Sequence, residues 1–360
     1  MIEKESIKKY QEKLSTLIGV SGYEDDVSEY ILNEIKTKNL ADKAWIDPLG
    51  NVLAIVEGSK GEGGEKILLD AHIDEIGFMI SHIDKKGFLK FVPVGMWDDR
   101  IFVGQAIVLK NAKGKIFHGI IGSKPPHLSS ANERKKKFQV NDLYIDIGMN
   151  SRKQAEENGI KVGTVGTLFS SFEELPNNMV RGKAFDDRTG CNVLLHILML
   201  LKENPPKNTV LFNFAAQEEV GGRGATTGAF NLNPTIAIAL ENTTAGDVPG
   251  IKPSECPCYI AKGPAITIAD KSVLSSPYII QRLEKNGEKE GIQYQYKKPM
   301  YGGTDAGRIH IVRKGIPSAV VSVPCRYIHS PTSLLKIDDI EETIKLIEAF
   351  VRNPAKIKGK

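Results

Sequence analysis

The stretch ILLDAHID, residues 67–74, passes from apolar to charged side chains within a single predicted strand. Residues 67–71 are apolar except for Asp70, as expected of a buried strand in a parallel or mixed sheet. His72 and Asp74 follow, and their side chains lie on the same face of an extended chain. Because α/β sheets bind ligands beyond the carboxyl ends of their strands, this strand end is a candidate site.

Three further apolar segments are bordered by carboxylates in the same way. If they are parallel strands, their charged ends meet at one edge of the sheet. They are AFDDR at 184–188, QEE at 217–219 after a strand over 209–214, and Glu241 at the end of a strand over 235–240.

The residue types at these ends suit metal-dependent hydrolysis. Imidazole and carboxylate ligands fit zinc, cobalt or manganese. Asp74 can hold the second ring nitrogen of His72 and fix its tautomer. Of the adjacent pair Glu218 and Glu219, one can bind a metal while the other takes a proton from water, as two-metal hydrolysis requires.

Each signal also has an ordinary structural explanation. A single histidine such as His72 is more often structural than a ligand, and Asp186 suits a turn or a helix N-cap. Glu218 and Glu219 suit a solvated loop, and His329 suits a turn before Pro331. Their joint placement at successive strand ends favours a shared site.

The pattern over the whole chain predicts an α/β protein interrupted by a β-rich insertion. Residues 1–74 and 176–360 alternate strands and helices, which predicts a mixed central sheet with helices on both faces. Residues 75–175 carry short strands and turn signals, which predict a small β-barrel or sandwich. Within it, the Pro-, Ser- and Lys-rich segment 124–137 should be an exposed loop.

Local signals predict several helix boundaries. Ser21 and Glu24 have the spacing of a capping box before an apolar helix. A helix over 276–286 should end at Gly287, and further helices are predicted over 189–202 and 338–352.

Composition limits the class of protein. The 360 residues include 48 Lys and Arg against 44 Asp and Glu, an excess too small to indicate nucleic-acid or membrane partners. The four cysteines form no C-x-x-C pair, and scattered free cysteines suit a reducing compartment. With no apolar signal segment at the N-terminus and no run long enough to span a bilayer, we expect a cytoplasmic protein.

The motifs, taken together, resemble those of the tetrahedral (TET) aminopeptidases, a cobalt- or zinc-dependent group that includes glutamyl and deblocking enzymes; some of these proteins have been named endoglucanases. The resemblance covers nearly the whole chain and follows the order of the family's motifs. The matching segments are DAHIDE at 70–75, AFDDR at 184–188, QEEVG at 217–221, GGTDA at 302–306 and HSP at 329–331.

The resemblance implies a zinc-exopeptidase-like fold and two divalent metal ions, zinc or cobalt, with manganese as a further alternative. It implies removal of N-terminal residues from peptides by attack of a metal-bridging water. The implied roles are His72 and Glu241 at one metal, Glu219 and His329 at the other, Asp186 between them, Glu218 as general base and Asp74 as the residue that orients His72.

The resemblance also implies substrate contacts and an assembly. The loop that contains Gly303, Thr304 and Asp305 would face the substrate. The insertion at 75–175 would form a dimer interface, and dimers of the family assemble into dodecamers. His127 lies in a loop that can reach a neighbouring subunit's pocket, although a plain loop residue is the alternative.

The glutamate at position 241 leaves the type of hydrolysis undecided. Many family members have Asp where this chain has Glu241, and some related enzymes with Glu are carboxypeptidases or deacylases. The alternative function is therefore that of a related dinuclear carboxypeptidase, dipeptidase or deacylase. Polysaccharide hydrolysis by paired carboxylates needs no metal and is a further alternative. A non-catalytic scaffold on the same fold would lack a ligand or the base, whereas all are present.

Overall fold

Helices and strands alternate at both ends of the chain, and the middle is rich in strands. The computed structural model describes residues 3–132, 139–298 and 301–356. The helices are α1 (Lys4–Thr16), α2 (Asp25–Thr37), α3 (Arg152–Glu157), α4 (Phe185–Glu203), α5 (Arg223–Leu232), α6 (Pro277–Glu290), α7 (Ala306–Ile309) and α8 (Ile337–Arg352).

The strands fall into three groups. The first group is a central sheet of β1 (Lys43–Ile46), β2 (Val52–Val56), β3 (Lys66–His72), β12 (Thr209–Ala215), β13 (Ile236–Thr244), β14 (Ala265–Thr267), β15 (Gln295–Lys297) and β16 (Ser318–Cys325). The second group is a barrel of β4 (Gly77–Ile83), β5 (Leu89–Val94), β6 (Ala106–Lys110), β7 (Ile116–Gly122), β8 (Tyr144–Asp146) and β9 (Val165–Leu168). The third is a small sheet of β10 (Glu173–Leu175), β11 (Met179–Gly182) and β17 (Ser333–Lys336).

The central sheet is mixed, as the sequence predicts. Its strand order is β1-β2-β12-β3-β13-β16-β14-β15. The four inner strands β12, β3, β13 and β16 are parallel, while β1, β2 and β14 meet their inward neighbours antiparallel. The carboxyl ends of the inner strands therefore lie at one edge.

Helices cover both faces of this sheet. On one face, α1, α2, α4, α6 and α8 contribute a large apolar core, in which Val193, Leu194 and Ile197 of α4 are fully buried. Complete burial of each such side chain contributes about 2 kcal/mol. On the other face, α5 and α7 pack against the sheet through Ala225 and Ile309. The prediction of helices on both faces is confirmed.

Six antiparallel strands of the central third close into a barrel, which confirms the barrel alternative over the sandwich. The order around it is β4-β5-β8-β7-β6-β9. In its interior, Phe91 makes edge-to-face contacts with both Phe78 and Phe102. The segment predicted as a long loop is exposed at Leu128, and its residues 133–137 lie outside the described residues.

A buried ion pair connects the barrel to the α/β region. The two carboxylate oxygens of Glu75 accept hydrogen bonds from Lys183 at 2.8 and 2.9 Å. They also accept from the Thr167 hydroxyl on barrel strand β9 and from the Gly19 amide, each at 3.1 Å. One carboxylate thus joins three parts of the chain, and its partners offset the cost of burying it.

Some local predictions are wrong. The capping box at Ser21 does not form, because the Ser21 hydroxyl donates to Asp74 while the Glu24 carboxylate accepts from Gly22. Helix α6 continues through Gly287 and ends at Gly291, whose φ of 66° suits a left-handed cap. Helices α5 and α7 and the short strands β10, β11, β15 and β17 were not predicted.

In the described residues, no helix is long and apolar enough to cross a membrane.

Arg188 is a fully buried cation near the start of α4. Its guanidinium donates to the carbonyl oxygens of Ile73 at 2.6 Å and Leu14 at 2.7 Å. It also lies 3.7 Å from the Glu75 carboxylate. This side chain therefore holds α1 and the end of β3 against α4.

We predict that Arg188→Met lowers the free energy of unfolding by about 3 kcal/mol, because it leaves buried carbonyl oxygens without donors. Urea denaturation followed by circular dichroism would measure the change. Arg100→Met is the matched control, since the Arg100 side chain is 79% exposed and should leave the midpoint unchanged. Equal midpoints for both variants would contradict the structural role of Arg188.

Candidate functional site

The candidate residues on the inner strands lie level with one another. His72 is the last residue of β3, and Ala239 of β13 is in register with Asp70 of β3. Two residues further along, Glu241 is therefore level with His72. Strand β13 runs beyond the predicted end at residue 240, because residues 241–244 pair with β16. Both side chains are almost completely buried.

Asp186 enters the site from the start of α4. Asp186 and Asp187 have non-helical dihedral angles and are joined by a cis peptide bond. The Asp187 carboxylate accepts a hydrogen bond from the Gly190 amide at 3.0 Å. A Cβ atom on residue 190 would lie 2.3 Å from that carboxylate, so the first turn requires glycine there.

The Asp186 carboxylate lies between two histidines. One oxygen is 3.4 Å from His72 Nε2, and the other is 3.1 Å from His329 Nε2. On the first side, His72 Nε2 is 3.9 Å from a Glu241 oxygen. On the second side, His329 Nε2 is 3.2 Å from a Glu219 oxygen. The structure thus brings all five predicted ligands together as two groups that share Asp186.

Asp74 fixes the segment that carries the two glutamates. Its carboxylate accepts hydrogen bonds from the Glu218 amide at 2.9 Å and the Glu219 amide at 3.1 Å. One of its oxygens is 3.4 Å from His72 Nδ1, and its carbonyl oxygen is 3.2 Å from the same atom. Asp74 therefore contacts the imidazole that the sequence predicts it to orient.

The N-terminal segment adds two residues to the site that the sequence analysis did not assign to it. The Ser21 hydroxyl donates to Asp74 at 2.5 Å. The Glu24 carboxylate accepts from the Gln217 amide at 3.1 Å, next to Glu218. Both contacts join residues that are far apart in the sequence. The only signal for them in the sequence was the polar character of the residues just before α2.

The site holds more negative charge than its two imidazoles can balance. Burial would raise the pKa of Asp186, but His329 and His72 hold it below its usual value. Burial and neighbouring carboxylates raise the pKa of Glu241 well above its usual value and that of Glu218 to about 8. Ionised carboxylates at this density need added positive charge.

The donor chemistry fits divalent cations. His72, Asp186 and Glu241 each offer a ligand atom within 4.8 Å of the others, and so do Asp186, Glu219 and His329. Two imidazoles with carboxylates are the ligands of zinc, cobalt and manganese sites. A cation in each group would balance the excess charge.

The site opens into a cavity of about 1200 Å³. Gly303 and Thr304 line it. Asp305 is fully buried behind them, and its amide donates to a Glu241 oxygen at 2.9 Å. Thr304 is held in turn by its hydroxyl, which donates to Asp270 at 2.9 Å.

His127 lies away from these residues. It is exposed, in a short turn of the barrel region, and does not line the cavity. Within this single chain the structure does not bring it to the site, so its contact with a neighbouring subunit stays a prediction.

The chain is similar to known aminopeptidases in sequence and in overall fold. The family model for M42 glutamyl aminopeptidase matches residues 50–346. The lysyl aminopeptidase of Pyrococcus furiosus is 33% identical, over 92% of this chain and 93% of the relative. A TET aminopeptidase structure from a marine sediment archaeon of the Thaumarchaeota is 38% identical with a TM-score of 0.93, over 98% of this chain and 97% of that one. The TET1 peptidase of Pyrococcus horikoshii is 33% identical with a TM-score of 0.85, over 96% of this chain and 99% of that one. That peptidase can assemble into a tetrahedron or a large octahedral shell.

Glu24 provides a pH-dependent test of the contacts around the site. Burial, and then the charge of Asp74, raises the pKa of Glu24 to about 7 from 4.5. The folded protein therefore holds this proton more tightly than the unfolded chain, so Glu24 costs stability as the pH rises from 4.5 through 7.

We predict that the free energy of unfolding of the Glu24→Gln variant, relative to that of the unmodified chain, rises by about 2 kcal/mol between pH 5 and pH 8. Urea denaturation of metal-free protein at several pH values would measure this difference. The same substitution at exposed Glu29 on α2 is the control. A difference for Glu24→Gln that does not change with pH would contradict the raised pKa.

Proposed function

We propose a specific reaction for this chain, which belongs to the M42 glutamyl aminopeptidase family and is a peptide hydrolase. The reaction is the metal-dependent removal of N-terminal residues from peptides, with two divalent ions in each subunit. The observation that carries this proposal is the Asp186 carboxylate, which turns one oxygen towards each of two imidazole–carboxylate groups.

The two groups divide the ligands. His72 and Glu241 would hold one ion, Glu219 and His329 the other, and Asp186 would bridge them. Each imidazole must be neutral to bind, so metal binding would release protons from both histidines. When bound, zinc, cobalt or manganese would polarise the scissile carbonyl and lower the pKa of the attacking water towards neutrality.

Glu218 is the general base in this proposal. Its carboxylate lies 4.0 Å from His72 Nε2 and lines the cavity beside both groups. Asp74 holds its backbone amide, so the side chain starts from a fixed position. Glu218 would take a proton from water during attack and deliver it to the leaving amine. Cations nearby would lower its raised pKa, so that the carboxylate would be ionised and able to accept a proton at neutral pH.

Glu241 bears on the choice between an aminopeptidase and its relatives. The Asp305 amide fixes one Glu241 oxygen and leaves the other 3.9 Å from His72 Nε2. The longer side chain therefore reaches the position of a ligand. The same ligand position would serve a related carboxypeptidase, dipeptidase or deacylase, so the choice among these reactions is made by substrate tests.

We also propose how the protein assembles and where it acts. The insertion at residues 75–175 would form a dimer through the barrel, and dimers would build a dodecamer in the cytoplasm, with His127 reaching a neighbouring subunit. The assembly of the P. horikoshii relative supports this proposal. Peptides small enough to enter such a shell would be the substrates.

The function is tested by a panel of aminoacyl anilides with free amines, compared with the same compounds blocked at nitrogen. We predict that only free-amine substrates are cleaved, that chelation abolishes turnover, and that zinc, cobalt or manganese restores it. Release of product measured by absorbance would give the rates. Cleavage restricted to blocked substrates, or activity that resists chelation, would contradict the proposed reaction.

Glu218→Gln separates the base from the ligands. We predict that it retains two ions per chain and loses at least a thousandfold in kcat, because the amide cannot accept the proton. Metal content by elemental analysis and turnover on one anilide would be measured together. Asp186→Asn is the contrasting variant and should lose metal as well. A Glu218→Gln enzyme with near-normal turnover would exclude Glu218 as the base.

A further inference from the structure

The proposed base, Glu218, lies in a turn after β12, residues 216–219, and all four backbone amides of this turn donate to side chains. Asp74 accepts from the last two of these amides. Asn51 Oδ1 accepts from the first, that of Ala216, at 2.8 Å. Asn51 immediately precedes the first residue of β2 that pairs with β12, so its side chain takes the place of a strand partner.

Glu24 holds the second amide of the turn. Its Oε1 accepts from the Gln217 amide at 3.1 Å and from the Gly22 amide at 2.7 Å. Gln217 has a φ of 60°, in the left-handed region that residues other than glycine seldom adopt. A backbone in this region is maintained by the structure around it rather than by its own preference. The side chains that accept from the turn therefore help to keep it in this conformation.

The start of α5 closes the other side of the turn. The Ala216 carbonyl oxygen accepts from the Gly224 amide at 2.9 Å. A Cβ atom on residue 224 would lie 2.2 Å from Asn51 Oδ1, so α5 approaches the asparagine as closely as glycine permits. Asn51 is completely buried and only 5% of Glu24 is exposed, so water does not compete for the amides that they hold.

We propose that Asn51 and Glu24 are positioning residues for Glu218. This inference rests on the proposed function and adds two residues on which its rate depends. Neither residue lines the cavity, so both act through the backbone of the turn. With the amides of residues 216 and 217 fixed, the Glu218 side chain starts from one position beside both metal groups. A displacement of about 1 Å at a reacting group can lower a rate about a hundredfold.

Glu24→Leu and Glu24→Gln form the decisive pair of variants. Leucine fills the buried space but cannot accept from an amide, so we expect kcat for a free-amine anilide to fall about ten- to a hundredfold in the metal-loaded enzyme. KM should stay nearly unchanged, and two ions should be retained by elemental analysis, because Asp74 still holds Glu218 and Glu219. Glutamine keeps an acceptor oxygen and should retain near-normal kcat.

Asn51→Leu tests the other acceptor, and Asn111→Leu is its matched control. Asn111 is also buried, and its Oδ1 accepts from the amides of Lys113 and Lys115 at 2.9 and 3.0 Å in a turn of the barrel region. Both substitutions should lower the free energy of unfolding, because both leave buried amides without an acceptor. Only Asn51→Leu should lower kcat.

Hydrogen exchange followed by mass spectrometry gives a measurement that does not depend on turnover. Peptides that cover residues 214–220 should exchange faster in Glu24→Leu and Asn51→Leu than in the unmodified protein, because one amide of the turn has lost its acceptor in each variant. The same peptides should exchange at the original rate in Asn111→Leu. Unchanged exchange in both of the first two variants would contradict the proposal.

The kinetic results separate this proposal from the proposed function. A folded Glu24→Leu enzyme with two ions and normal kcat, in a chain whose Glu218→Gln variant loses turnover, would overturn the positioning role and leave the function standing. Equal losses of kcat in Glu24→Leu and Glu24→Gln would also overturn it, because the charge rather than the accepted hydrogen bond would then matter. If either leucine variant does not fold, the other decides. Near-normal turnover of Glu218→Gln would instead refute the proposed function itself.

Discussion

The position of the Asp186 carboxylate between His72 and His329 is the constraint on which the site depends. Each histidine approaches a different oxygen, so the site depends on the relative placement of both imidazoles and the start of α4. Three parts of the fold meet this requirement: the end of β3, the first turn of α4 and the loop between β16 and β17. Parallel inner strands make it attainable, because their carboxyl ends are level at one edge of the sheet. The carboxylates crowded there would repel one another when ionised, and bound cations would relieve that repulsion.

Two adjacent residues connect this site to the barrel. Asp74 and Glu75 lie on opposite sides of an extended segment, as the alternation of side chains dictates. Asp74 holds the amides of Glu218 and Glu219, whereas Glu75 pairs with Lys183 and accepts from Thr167 in the barrel. A shift of the barrel relative to the sheet would therefore pull directly on the backbone beside His72. The barrel also contributes Met96 to the cavity wall, so its placement affects both the ligands and the space in front of them.

The sequence predicts the parts of this structure that depend on regular patterns. The apolar runs of β3 and β13 are long enough to identify buried strands, and charged residues beside strand ends point to the site. Helix α5 was missed because its buried residues recur at helical spacing but are mostly Gly and Ala, which give little apolar signal in the sequence. Strand β15 has three residues and no distinctive composition. Ser21 and Glu24 fit a capping box by spacing, but their tertiary partners Asp74 and Gln217 decide what they bind. The spacing of residues in the sequence reports only a local conformational preference. Contacts between distant segments of the chain can override that preference.

This difference in predictability arises because the proposed metal-binding residues and the residues of the cavity wall lie on different elements of the fold. The residues proposed to bind metal lie on or beside long inner elements whose burial leaves little freedom to change. The residues proposed to face the substrate lie on the loop that contains Gly303 and Thr304, outside the inner strands. Substrate preference could then diverge among chains that share one reaction, since side chains in the cavity wall set specificity while the inner strands preserve the chemistry.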